Sequence, residues 1–361
     1  MELAAAIAGL VCLALVAWDV FESIVVPRPT PSRFRIARFL VPPSWLAWRA
    51  FATRVRTGLG RDALLSLFAP GAAILLLVVW LVVLVLGYGL VLFGLRGELR
   101  PTPVSLVDTI YFAGTSVLTL GYGDIVATGP STRFIVLIAA ASGLGVVALV
   151  VTFLFSLFGS YQRREILIVM LAARAKSPPS AVTLLESYAR LGLVDQLPAL
   201  LAEWERWMAE VLDSHVAYPL LGYFRSSHDN VSWISALGAV LDTAALVLTT
   251  IRGVPRGQAE VTKRVGAHLV EDITNILHLE FDGGGVEREA FGETYRRLAA
   301  AGYDVAPEAE AWQAFEHARR TYAGRLEALA GYWATPATLW AGQELVGASP
   351  VHEPTPAAAE R

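Results

Sequence analysis

The stretch that decides the reading is Pro101-Thr-Pro-Val-Ser-Leu-Val-Asp-Thr-Ile-Tyr-Phe-Ala-Gly-Thr-Ser-Val-Leu-Thr-Leu-Gly-Tyr-Gly-Asp124. Thr102 followed by Pro103 has the form of a helix start, an N-cap hydroxyl with proline at the first helical position, and an apolar stretch runs from there to Leu118. Such a helix is too short to cross a bilayer, for which about 20 mostly apolar residues are needed. A helix that enters the membrane and stops must be followed by returning backbone, and irregular backbone at that depth survives only where protein buries it or it lines a watery path. The residues Thr119, Leu120, Gly121, Tyr122 and Gly123 form that return, with Asp124 at its outer end. Gly121 and Gly123 permit dihedrals closed to other residues, so successive carbonyls can face one axis. Those carbonyls, with the Thr119 hydroxyl below them, would replace the hydration shell of a monovalent cation. The C-terminal end of the short helix, aimed at the same place, adds negative potential.

Working outward, three uncharged or nearly uncharged segments are long enough to span: residues 3–26, 63–95 and 134–162. The first carries Asp19 and Glu22 near its end, for which pairing with downstream arginines is expected. It lacks a basic leading region and a clean small-residue cleavage site, and reads as a retained anchor. Between spans one and two lie Arg28, Arg33, Arg35, Arg38, Arg49, Arg54, Arg56 and Arg61 against Asp62, whereas Arg96 and Arg100 precede the short helix. That asymmetry predicts a cytoplasmic first loop, an outer N-terminus and a cytoplasmic C-terminal half of a cell-membrane protein. In the same loop Pro27, Pro29, Pro31, Pro42 and Pro43 punctuate short amphipathic pieces bearing Phe34, Phe39, Trp45 and Trp48, a composition suited to the headgroup boundary.

The segment from residue 70 to about 162 resembles the pore of potassium channels. Tyr111 and Phe112 fall at that family's aromatic pair, Ser116 at its pore-helix hydroxyl, and residues 119–124 on its selectivity filter. Leu120 stands where valine is commonest and Leu118 where a second threonine is usual; leucine supplies the same carbonyl. The resemblance implies an all-α membrane protein with an outer helix, a re-entrant pore helix and filter, and an inner helix. It implies potassium as the permeant ion, with no other cofactor, held by Thr119, Leu120, Gly121, Tyr122 and Gly123, with Asp124 at the outer mouth. Gly143, with Gly145 beside it, lies where that family's inner helix has its hinge, which carries over a gating role; helix packing is the competing explanation. Gly87-Tyr88-Gly89 repeats the tripeptide in mid-span without the preceding threonine or following aspartate, and reads as helix packing. One filter per chain requires several chains, and the family precedent is a homotetramer. No span carries arginine at every third position, so no voltage sensor is expected.

The chain as a whole agrees with this division. Its 361 residues are 55% hydrophobic and 17% charged, with a mean hydropathy of +0.52, which excludes an ordinary soluble globule and a basic nucleic-acid binder. Residues 1–160 hold 11 Arg and no Lys against 7 acids, and the remainder holds 18 basic residues against 25 acids. Cys12 stands alone, which excludes a disulfide framework. The expected domains are a transmembrane helix over 1–26, an arginine-rich loop over 27–62, the pore over 63–162, a helical cytoplasmic domain over 163–346 and a disordered tail over 347–361.

In the C-terminal half the helical pattern continues to about Ala175, breaks at Ser177-Pro-Pro-Ser180, and resumes over 181–193, 196–224, 230–251, 257–279, 286–301 and 307–333. No strand-like alternation is evident. Residues 231–251 are apolar enough to raise a fourth span, but Asp242 at the centre argues for a buried bundle helix. Gly283-Gly-Gly285 follows Asp282 without a preceding strand, so a nucleotide-binding fingerprint is not supported. His268, Glu271, Asp272 and His278, and the pair His228-Asp229, lack metal-ligand spacing and read as solvated faces. Trp204, Trp207, Tyr218, Tyr223 and Phe224 are spaced for a helix interior. An enzyme is not predicted. The expected partners are the bilayer, further copies of the chain and an unidentified cytoplasmic ligand or protein, with no nucleic acid. Two rival readings stay open, a poorly selective cation channel and a membrane-anchored sensor or enzyme acting through residues 180–340.

Overall fold

The computed structural model describes residues 1–26, 36–55, 58–226, 231–281 and 283–335. Arg28, Arg33, Arg35, Arg56, Pro27, Pro29, Pro31, Phe34, His228, Asp229, Asp282 and the predicted tail lie outside the described residues. The protein is an all-α membrane protein with three helices long and apolar enough to cross a bilayer. These are α1 (Glu2–Val20), extended by a π-helical turn at Phe21–Val25, α4 (Phe68–Gly94) and α6 (Pro130–Ala175). Between the first two lie α2 (Ile36–Ala52) and α3 (Gly58–Ser66), and between the last two lies α5 (Leu106–Val117). Two compact units result, the first of Met1–Ile166 with Glu210–Ser227, the second of Leu167–Ala209 with His228–Arg361.

In the first unit α1 and α5 both pack on α4, and small residues set the contacts. A Cβ on Gly9 would lie 2.5 Å from the Gly87 carbonyl, one on Gly87 would meet Leu13, and one on Gly89 would meet Ile110. Tyr88 accepts a hydrogen bond from Ser142 of α6 at 3.1 Å. The mid-span Gly-Tyr-Gly is thus a junction at which three helices meet α4, which is the close approach that small residues permit in lipid. Asp19, fully buried, accepts from the Trp80 indole N–H at 2.6 Å and from the Ile36 backbone N–H at 2.7 Å. Through these two bonds the acid joins α1 to α4 and holds the start of α2. Contrary to expectation, α2 runs unbroken through Pro42 and Pro43. It buries Val41, Trp45 and Ala52 and exposes Phe39, Leu46 and Phe51.

Spacing alone predicts a helix interior for Tyr218, Tyr223 and Phe224, and the structure corrects this. Helix α8 (Leu197–Ala217) stops before Pro219, whose ring cannot continue it, and a 3-10 turn follows over Pro219–Tyr223. This segment belongs to the first unit. Tyr223 packs against the Trp45 and Phe68 pair, each with its ring centroid 5.4 Å away. Phe224 packs on Phe158 and Tyr161 of α6 at 5.7 and 5.5 Å, and Tyr218 on Phe153 at 5.6 Å. Arg164 of α6 donates to the carbonyls of Leu221 and Phe224, and Arg225 pairs with Asp62 of α3 at 2.8 Å.

His215, at the end of α8, is buried beside this segment. Its Nδ1 lies 2.8 Å from the Val211 carbonyl, so that nitrogen carries the proton and Nε2 accepts from Arg164 at 3.3 Å. Burial, and then the Arg164 charge, push its pKa down to about 3. The unfolded imidazole titrates near ~6.5. The folded state therefore favours the neutral ring: its contribution is complete above that value and is lost as pH falls toward the folded pKa, at up to about 1.4 kcal/mol per unit. Its charged neighbour is Arg164, which in turn holds Glu165. The thermal midpoint of full-length protein in detergent is accordingly expected to fall between about pH 6.5 and 5, with a shallower fall in His215→Gln. Equal slopes in both proteins would contradict this assignment.

The second unit is a helical bundle around α9 (Trp233–Thr249), enclosed by α7 (Ala181–Arg190), α10 (Arg256–Ile276), α12 (Glu308–Arg320) and α13 (Ala323–Trp333), with α11 (Arg288–Ala300) packed on α7 and α12. Every residue of α9 from Trp233 to Val247 is buried. At its centre Asp242 accepts from Arg319 at 3.1 Å and from the Tyr322 hydroxyl at 2.7 Å. The apolar run is therefore the core of a bundle, enclosed by helices of its own chain. The single helix expected over 307–333 is two, separated at Thr321 and Tyr322, and the break brings both Arg319 and Tyr322 onto Asp242. His268 and Asp272 form an exposed i, i+4 pair at 3.4 Å, and Glu271 pairs with Arg325. Among the described residues no group of three or more His, Cys, Asp and Glu converges.

Candidate functional site

The short helix between the spans begins three residues later than Thr102 suggests. Ser105 is its N-cap: the Ser105 hydroxyl accepts from the Asp108 N–H, and the Asp108 carboxylate accepts from the N–H groups of Ser105 and Val104. This reciprocal box satisfies otherwise orphaned donors and outcompetes the Thr102-Pro103 start. The twelve residues of α5 then end at Val117. Phe112 is buried, and the Ser116 hydroxyl turns back to the Phe112 carbonyl at 2.8 Å.

The returning segment is tied to α5 through its amides. The N–H of Thr119 donates to Ser116, and those of Leu120 and Gly121 both donate to the Thr115 carbonyl, at 2.7 and 3.4 Å. Among the described residues no hydrogen bond is donated to the carbonyls of Thr119, Leu120, Gly121 or Tyr122. Thr119, Gly121 and Gly123 have φ of +55°, +59° and +82°, whereas the intervening Leu120 and Tyr122 do not enter the positive region. Alternation of this kind differs from a β-strand, in which successive carbonyls point to opposite sides; it turns them toward a common side while the amides converge on the other. Here the amides face the end of α5, and the carbonyl oxygens stay available to a cation. Thr119 is β-branched and left-handed at a cost of about 1–2 kcal/mol, a local strain that the hydrogen bonds to α5 retain.

The rest of the expected site lies close by. Asp124 follows the alternating segment, beside the Tyr111 phenol of α5. Leu118, Leu120 and Tyr122 present exposed side chains in the single chain. Gly143 of α6 sits against the end of α5: a Cβ there would fall 2.0 Å from the Val117 carbonyl, so only glycine lets α6 approach the C-terminal end of α5. Gly145 has open space around it. The geometry thus gives Gly143 a packing duty, whatever its part in gating.

One residue of the connection between α4 and α5 gives no sign of its role in the sequence. Glu98 ends a 3-10 turn before a short antiparallel pair, β1 (Leu99–Arg100) and β2 (Val126–Ala127), which no alternation in the sequence reveals. Its carbonyl accepts from Thr128 and its carboxylate from the Thr132 N–H in the first turn of α6. The segments before α5 and after residues 119–124 are thereby joined at one point. A glutamate preceding α5 by several residues carries no local signal of this, because both partners lie about 30 residues downstream.

Comparison with known proteins bears on this region. Residues 75–160, from within α4 to the middle of α6, match the protein family described as ion channel, which indicates an ion channel. The chain is also similar to the uncharacterized membrane protein YdjJ of Bacillus subtilis (strain 168), with 28% identity over 188 residues. That match covers 51% of this chain, which spans about half (54%) of the length of the relative. No solved structure matches the chain.

Proposed function

We propose that the chain is one subunit of a potassium-selective channel, with four copies placing their filters around one axis. The observation that carries this reading is the left-handed alternation at Thr119, Gly121 and Gly123 with unclaimed carbonyls at residues 119–122, held at the end of a short helix between two spans. A dehydrated potassium ion would take its ligands from those oxygens, and the four-fold ring would supply enough of them to replace water. Leu120 and Tyr122, exposed in one chain, would be covered in the ring. The arginine-rich first loop supports an outer N-terminus and a cytoplasmic helical bundle. Conduction is passive, and no catalysis is part of the reading.

The test is ion flux into liposomes containing the purified full-length protein. Potassium flux that barium stops and sodium does not replace is the expected result. Equal sodium and potassium flux would make the protein a poorly selective cation channel, and absence of flux in every lipid and at every pH tried would overturn the channel reading. Mass measurement of the detergent-solubilised complex is expected to give four subunits.

A further inference from the structure

Residues 218–226 form a strap that bridges the two walls of the pore module at one level. On one side Tyr223 packs against both Trp45 of α2 and Phe68 at the start of α4, which also touch each other, and Arg225 pairs with Asp62 of α3. On the other side Tyr218, Phe224 and Arg225 engage Phe153, Phe158 and Tyr161 of α6, with the Tyr161 hydroxyl donating to the Arg225 carbonyl at 3.1 Å. The fastening is Arg164, whose side chain is 2% exposed. Its Nη1 donates to the Leu221 carbonyl at 3.1 Å and its Nη2 to the Phe224 carbonyl at 2.8 Å. Nε and Nη2 also hold Glu165, and Nη1 reaches His215. A planar fork with five donors suits this task, and the adjacent carboxylate neutralises it where water does not reach.

The strap has a peculiar place in the chain. The sequence on both sides of Glu210–Ser227 belongs to the second unit, while the strap itself belongs to the first. A change within the bundle therefore has a covalent route, through α8, to the stretch of α6 from Phe153 to Arg164, just past the candidate pore. Because the same nine residues hold both α6 and the base of α4, a displaced strap changes how those two helices are joined.

Resting on the channel reading, we propose that Arg164 is a positioning residue for gating. By fastening residues 218–226 to α6 it sets the stance of the inner-helix end, and signals received by the helical bundle act on the pore through this strap.

The experiment uses full-length protein in liposomes and planar bilayers, with Arg164→Gln, Arg164→Lys and Tyr161→Phe. Tyr161→Phe deletes one hydroxyl and keeps the ring, so it tests the strap even where an Arg164 variant fails to fold. Amide exchange in residues 218–226 is expected to rise about tenfold or more in Arg164→Gln. Single-channel open probability should change by about fivefold or more, with unitary conductance and ion selectivity unchanged. Arg164→Lys, which keeps the charge without the fork, and Tyr161→Phe should shift in the same direction by less. Variants that exchange faster yet gate normally would reduce the strap to a structural brace and overturn the proposal, as would unchanged exchange. Wild-type currents with unaltered variants sink only the strap; silence from wild type and variants alike removes the channel reading and the strap with it.

Discussion

Gly121→Ala is expected to bring potassium flux to background while the protein still assembles. Gly121 sits at φ +59°, and a Cβ built there finds no neighbour within 4 Å in its own chain. The effect therefore arises in the backbone. Alanine in the left-handed region costs about 1–2 kcal/mol, and the cost recurs in every subunit of a ring. It is relieved when the residue leaves that region, which rotates the adjoining peptide planes and takes carbonyl oxygens off the axis. A cation stripped of water then meets an incomplete set of ligands. The control is Gly87→Ala in the other Gly-Tyr-Gly. There the added methyl meets Leu13 of α1 at 2.8 Å, far along the chain from the filter, so flux should persist even where the seating of α1 is loosened. Barium-sensitive flux through Gly121→Ala equal to wild type would show that residues 119–123 do not conduct.

The two Gly-Tyr-Gly tripeptides differ in sequence context alone, and that difference marks what is legible in a chain of amino acids. The spans follow from length and composition, and the left-handed turns at Gly121 and Gly123 from the two glycines themselves, since both signals are local. Features that depend on distant partners do not. Asp19 meets Trp80 sixty-one residues away, and Glu98 meets Thr132 across α5 and residues 119–124. The start of α5 is ambiguous because Thr102-Pro103 and Ser105 with Asp108 are both acceptable caps, and only the second satisfies two amides reciprocally. Aromatic residues whose spacing mimics a helix face conceal the strap; Pro219 and Gly222 are the available hints that the helix stops. Arg164 and Glu165 stand just past the third apolar segment, and neighbouring residues on a helix do not ordinarily share a face. The division of the last expected helix at Thr321 and Tyr322 has no proline to announce it, and Gly324 just beyond it is a weak hint; the break goes with a tertiary contact, the approach of Tyr322 to Asp242.

Asp242→Ala is expected to destabilise the helical bundle by about 3–5 kcal/mol, as removal of one partner from a buried ion pair does. The carboxylate is 1% exposed, and burial pushes its pKa up while Arg319 and the Tyr322 hydroxyl oppose that rise. Tyr322 keeps its proton, its own pKa driven well above the ordinary phenol value first by burial and then by the Asp242 charge. One oxygen thus gathers the guanidinium at the end of α12 and the hydroxyl of the α13 N-cap onto α9. Alanine removes that acceptor and leaves the guanidinium in a core site with its main countercharge gone. The measurement is amide exchange of α9 and α13 in the full-length protein, where about 3–5 kcal/mol corresponds to protection lower by two to three and a half powers of ten. The paired replacement Asp242→Leu with Arg319→Met separates the two possible origins of the loss. If the ion pair is a matched charge set whose desolvation nearly cancels its attraction, the apolar pair should be more stable than either single variant. If the double variant is instead as unstable as the sum of the singles, the stability comes from what each side chain does alone, and the pairing of Asp242 with Arg319 does not organise the bundle.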